Sequence, residues 1–131
     1  MFVPAPTEFI ATHDIQLAVE RYGSGDKALI LLHGLTANRA SFYGLLQHGL
    51  AEGYHVWVVD LRGRGLSDKP ATGYSMADHA ADILGLMDAE GLAQAILIGH
   101  SFGGLLSMYM AAHHADRIDR IVVMDAGKEA T

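Results

Sequence analysis

The chain has 131 residues, half of them apolar, which is the length of one domain with enough hydrophobic material for a packed core. Fifteen acidic side chains against nine basic ones leave a net charge of −6, so the basic footprint of a nucleic-acid binder is missing. With no cysteine there is neither a disulfide frame nor thiolate chemistry. The opening "MFVPAPTEF" lacks the basic stretch and apolar run of a signal peptide, and runs such as "ALILL" at 28 to 32 fall short of the roughly 18 residues of a membrane span. A soluble, cytoplasmic chain with no membrane contact is the expectation, and no repeat, low-complexity tract or linker divides it.

The segment "EFIATHDIQLAVERYG" (8 to 23) alternates apolar and polar residues with a break at His13-Asp14, which predicts an antiparallel hairpin. "KALILLHG" (27 to 34), "YHVWVVDL" (54 to 61), "QAILIGHS" (94 to 101) and "IDRIVVMD" (118 to 125) are near-continuous apolar runs, the pattern of parallel strands buried on both faces. Between them "RASFYGLLQHGLAEG", "SMADHAADILGLMDAEG" and "FGGLLSMYMAAHHADR" carry apolar residues at helical spacing, the first two ending in Gly53 and Gly91. Strand alternating with helix predicts an α/β fold, a leading hairpin plus four mainly parallel strands with helices on both faces.

The chemistry of such a sheet sits at the carboxyl ends of its parallel strands. There, Gly99-His100-Ser101-Phe102-Gly103 follows a strand and opens a helix, the context of a strained turn that lifts a serine hydroxyl out of the sheet. Glycines on both sides leave room for the close backbone approach, and the helix starting at Phe102 aims its positive end at the site. Acyl transfer needs two N–H donors aimed at the forming oxyanion, one after the nucleophile and one from a neighbouring strand-end loop. Phe102 and Leu35, the latter in "HGLT" (33 to 36), supply the candidate amides. His33 is expected to brace this loop. Asp60 and Arg62, in "DLRGRGLSDKP" (60 to 70), are expected to satisfy backbone groups in a structural turn.

Taken in order, "LLHGLTAN", "VVDLRGRGLSDKP" and "LIGHSFGG" resemble the α/β-hydrolase superfamily, in its serine-nucleophile branch of esterases, lactonases, haloperoxidase-like and carbon–carbon bond hydrolases. The resemblance covers essentially the whole chain. It implies an eight-stranded, mostly parallel sheet, a Ser-acid-His triad, an oxyanion hole and commonly a helical cap after the sixth strand. It assigns the nucleophile to Ser101 and the oxyanion donors to Leu35 and Phe102. A serine there speaks against the dehalogenase and epoxide hydrolase branches, which use aspartate.

The expectation for residues 1 to 131 is a single amino-terminal portion of such a domain, lacking the last two strands, the cap and the histidine loop. His113 and His114 follow Ser101 along one helix, roughly 18 to 20 Å away at about 1.5 Å per residue. His100 adjoins the serine on the turn and points elsewhere, His48 and His79 fall on crossover helices, and His13 and His55 lie at or near strand starts. None is placed as the base. Asp125, at the end of the strand beside that of Ser101, is either the acid or a strand-end turn cap. Leu35, Thr36, Phe102 and His100 are the expected lining for a small ester-like substrate, with no cofactor and no metal site. Two functional readings stay open. One is a serine hydrolase, inactive as these residues alone. The other is a catalytically dead assembly module that homodimerises through the edge of "IDRIVVMDA", or pairs there with a missing carboxyl-terminal segment. A composite site shared across such a dimer is disfavoured, because edges joined antiparallel send their carboxyl ends to opposite sides.

Overall fold

The computed structural model describes residues 2 to 12 and 14 to 124. Six strands form one sheet: β1 (Glu8–Ala11), β2 (Gln16–Gly23), β3 (Lys27–Leu32), β4 (Tyr54–Val59), β5 (Ala95–His100) and β6 (Ile118–Met124), in the spatial order β1-β2-β4-β3-β5-β6. The first two pair antiparallel and β2 meets β4 antiparallel, whereas β4, β3, β5 and β6 run parallel. The hairpin and the four parallel strands thus match the α/β reading of the sequence.

Alternation along each buried strand sends side chains to opposite faces. Ile30 and Leu32 join Leu17, Val19, Trp57 and Leu97 on one face, while Leu29 and Leu31 join Val56, Val58, Ile96 and Ile98 on the other. The first face is covered by α2 (Met76–Ala89), through Ile83, Leu86 and Met87, and by α3 (Phe102–His113), through Leu106 and Met110. Ser75 caps α2: its hydroxyl accepts from the Asp78 amide at 3.0 Å while the Asp78 carboxylate accepts from the Ser75 amide at 3.1 Å.

The opposite face carries less helix than the sequence pattern predicts. The stretch 39 to 53 forms a 3₁₀ turn at Arg39–Phe42 and a short α1 (Tyr43–Gln47), then turns rather than continuing to Gly53. Gly49, at φ 96°, takes the chain out of right-handed helical space, so the apolar spacing beyond it serves turns. Phe42 and Leu46 still face the sheet.

The position of the site follows from the strand order. β3 and β5 are neighbours, but the chain leaves β3 towards β4 on one side and leaves β5 towards β6 on the other. Their carboxyl ends therefore diverge into a crevice, and the two loops that carry the serine and oxyanion motifs lie on either side of it.

Candidate active site

Ser101 has φ 59° and ψ −118°, and it is the described non-glycine residue with positive φ. L-residues rarely adopt this region, so the turn stores strain that its surroundings must enforce. The surroundings do so from three directions. The Ser101 amide donates to the Met124 carbonyl at 2.9 Å, tying the turn to the end of β6, and the Ser101 carbonyl accepts from the Gly104 amide at 2.9 Å. A side chain on Gly99 would run into the Gly103 carbonyl, and one on Gly103 into the Leu32 carbonyl, so helix α3 sits directly against β5 and β3.

The β3 loop meets the serine just as closely. A Cβ on Gly34 would stand 3.2 Å from Ser101 Cβ and 3.4 Å from its Oγ. A turn closes this loop, with the Ala37 amide donating to the Gly34 carbonyl at 3.1 Å, and it leaves Leu35 half exposed. Among the described residues no hydrogen bond takes up the amide of Leu35 or of Phe102. Two free donors therefore flank a serine whose helix presents its positive end.

Buried side chains hold the loop in place. His33 is fully buried, and its Nε2 accepts from the Leu61 amide at 2.9 Å, which puts the ring proton on Nδ1, 2.6 Å from the Gly34 carbonyl. Burial pushes the pKa of His33 down and keeps the ring neutral, outweighing the Gly34 bond that opposes the shift. It is the brace the sequence suggested. At the far end of the loop, Arg39 donates from its amide to Asp60 at 2.8 Å and pairs through its guanidinium with Asp60 and, at 2.5 Å, with Glu20. Both carboxylates are buried, and Tyr43 and Tyr22 also donate to Glu20. Asp60 takes the Leu66 amide as well at 2.9 Å, so it organises its turn as expected. Arg62 does more than satisfy backbone. It is buried and clamps Asp82 with two bonds of 2.7 and 2.9 Å, reaches Asp14 at 2.5 Å, and donates to the Gly73 carbonyl at 2.5 Å.

Two hollows flank the serine. On the α1 side, about 170 Å³ is enclosed by Phe42, Leu45, His100 and Met124. On the α2 side, about 250 Å³ opens among His33, Leu35, Arg64, Tyr74, His79 and Phe102. Of the residues named from the sequence, Leu35 and Phe102 line the α2-side hollow and His100 the α1-side one, while Ser101, buried against Gly34, and Thr36, exposed in the turn, line neither. Asp125 and His13 lie outside the described residues.

His79 is the residue that sequence reasoning placed away from the site. Its ring is 5% exposed and meets the Phe102 ring edge-on at 5.0 Å. The missed signal is its position one turn past the Ser75 cap: a crossover helix begins at the carboxyl end of the sheet, so its first turn borders the crevice. His33 is spent on Leu61 and Gly34, His79 Nδ1 has no hydrogen bond, and His48 and His113 are exposed.

The strained serine, the glycine-tight turn and the Leu35 and Phe102 amides come together at the carboxyl ends of parallel strands. The chain belongs to the alpha/beta hydrolase fold family, which it matches over residues 27 to 130. It is 41% identical over 111 residues to 2-(acetamidomethylene)succinate hydrolase of Mesorhizobium japonicum, an alignment covering 85% of this chain and 39% of that one. Among solved structures it is similar to epoxide hydrolase A of Mycobacterium thermoresistibile, with TM-score 0.86 and 29% identity over 92% of this chain and 39% of that one. It is also similar to Est816, an N-acyl homoserine lactone degrading enzyme, with TM-score 0.82 and 32% identity over 88% of this chain and 44% of that one. The chain thus spans about two fifths of the length of these relatives.

Proposed function

We propose that these residues carry the nucleophile and oxyanion hole of a serine hydrolase acting on carboxylic esters or related acyl compounds. The carrying observation is the backbone of Ser101, held at φ 59° between Gly34 and the start of α3. Such strain persists where the surroundings hold a group in a set position, and here it fixes the Ser101 hydroxyl, 6% exposed, against the Gly34 loop. In the proposed reaction Ser101 Oγ bonds to the acyl carbon, the carbonyl oxygen takes the negative charge towards the Leu35 and Phe102 amides, and collapse expels the alcohol. Water then releases the acyl group. The proton passes to a general base, a role for which neither His33, tied to Leu61 and Gly34, nor the exposed His48 and His113 is placed. The acetamido compound and the lactone in the names of two relatives support an acyl substrate.

Intact-mass analysis after hours with a fluorophosphonate tests the assignment. The expected result is one adduct, mapped by fragmentation to Ser101 and absent from Ser101→Ala. A label that Ser101→Ala retains, or one mapped elsewhere, rules the assignment out.

A second reading, an assembly module that homodimerises, is favoured by β6, the last strand in the sheet order, on which Val122 and Val123 are 46% and 38% exposed. Light scattering at micromolar concentration decides it. A dimer that Val122→Lys dissolves supports this reading, and a monomer refutes it.

A further inference from the structure

The cavity of about 250 Å³ on the α2 side touches both residues whose amides are assigned to the oxyanion, and it is bordered by a partly exposed arginine with a spare donor and by a buried nitrogen without a hydrogen bond. The first is Arg64. Arg21, Arg39, Arg62, Arg117 and Arg120 each form an ion pair with a carboxylate. Among the described residues Arg64 forms none. Its Nε donates to the Leu35 carbonyl and its Nη1 to the Gly63 carbonyl at 3.2 Å, which leaves Nη2 without a partner. In a chain of net charge −6, an arginine without an acidic neighbour beside a cavity is an exception to the general pairing. The second group is His79, whose Nδ1 is buried and makes no hydrogen bond. A buried polar atom left in this state costs about 1 to 3 kcal/mol, which a folded protein ordinarily avoids.

The two groups act on each other: the Arg64 charge is close enough to disfavour protonation of His79. A cationic ligand would be repelled by Arg64, and an apolar one would leave both groups unsatisfied. An anion with paired acceptor oxygens suits both, since guanidinium N–H groups match a carboxylate and a neutral imidazole can donate one further bond. We infer that this cavity is a subsite for a carboxylate-bearing acyl substrate, whose anionic end pairs with Arg64 and accepts from His79 while its acyl carbon reaches Ser101. Tyr74 and Phe102 supply the apolar walls for the chain between the two ends. Because Arg64 also holds the Leu35 carbonyl, the bound anion sits against the loop that presents the oxyanion amide. The inference rests on the serine hydrolase reading for the acyl end alone.

Monomethyl succinate, with one carboxylate and one ester, and dimethyl succinate, its uncharged analogue, are the probes. Each is titrated into the ¹⁵N-labelled chain at physiological salt. Monomethyl succinate is expected to shift the Arg64 side-chain and His79 ring signals saturably and to bind tighter than the diester. Arg64→Gln is expected to weaken it about tenfold, as loss of a charged hydrogen bond does, and to remove the preference over the diester. Arg64→Lys keeps the charge and retains most of the preference, and its spectrum reports whether position 64 tolerates change. Equal affinity for the two esters, or an unaltered preference in a folded Arg64→Gln, overturns the inference. Ser101→Ala is expected to bind monomethyl succinate as the parent does. A fluorophosphonate label that Ser101→Ala retains, with this binding intact, would remove the nucleophile assignment and leave the anion subsite standing.

Discussion

Arg62 and Arg64 stand two residues apart on one loop and meet opposite surroundings. Arg62 points into the protein, where Asp82, Asp14 and the Gly73 carbonyl take up its donors and hold its charge far above the range in which it could be lost. Arg64 points towards the crevice and, among the described residues, bonds two carbonyls and no carboxylate. The same pairing of saturated and open groups recurs nearby. Arg39 is fully engaged between Glu20 and Asp60, whereas His79, on the helix that carries Asp82, keeps a buried nitrogen without a partner. Charges are satisfied where they tie strands, loops and helices together, and left open where the fold leaves a cavity. Saturated groups tie the scaffold together, and the open ones border the cavity.

This contrast is sharpest at Asp82. Asp82→Leu leaves the buried Arg62 guanidinium with the exposed Asp14 carboxylate and the Gly73 carbonyl, so a loss of about 3 to 5 kcal/mol is expected by urea denaturation. An effect below 1 kcal/mol would show that Arg62 is not the tie described.

Next in size is a pH effect at His79. Burial, the largest cause, and the Arg62 and Arg64 charges lower its pKa to about 4, against the opposing pull of Asp82 and Asp78. Between that value and an unfolded value near 6.5, the unfolded chain binds a proton that the folded one refuses. Stability present above about pH 6.5 is therefore lost as the pH falls towards 4, by about 2 to 3 kcal/mol from this residue. Denaturation midpoints compared across that range should fall more for the parent than for His79→Leu. Parallel curves would mean that the ring is not held neutral.

At the serine the direction reverses. Ser101→Gly removes the steric penalty of positive φ and is expected to raise stability by about 1 to 2 kcal/mol while abolishing labelling. A stability loss would mean that the turn is not strained. The smallest expected effect is at Arg64, half-buried and free of carboxylate partners: Arg64→Gln should change stability by no more than about 0.5 kcal/mol. A loss comparable to that of Asp82→Leu would erase the distinction between the two arginines.

What could be read from the chain in advance follows the range over which each constraint acts. The four parallel strands were legible because an apolar run flanked by turn residues has few other uses, and their bounds differ from expectation by a residue or two at the ends; β6, read as buried on both faces, instead lies at the sheet edge with Val122 and Val123 exposed. The stretch 39 to 53 was less legible, since glycines interrupt a spacing that otherwise fits a helix, and whether they stop it depends on the packing of Phe42 and Leu46 against the sheet. His33 was read as a brace from its place beside the loop, although its partner Leu61 lies on another strand-end loop.

By itself the sequence determined the elbow: glycine at 99 and 103 around Ser101, between a buried strand and a helix, is a local steric requirement written in consecutive residues. It also determined the α/β alternation, and in having no cysteine it carries no thiolate in these 131 residues. Only the tertiary structure decided which charges are spent and which are open. Arg62 and Arg64 are the same residue type in nearly the same context. Their difference arises from where Asp14, Asp82 and the Gly73 carbonyl arrive from distant parts of the chain, and hydrogen-bond partners brought together by folding leave no pattern in the residues beside them.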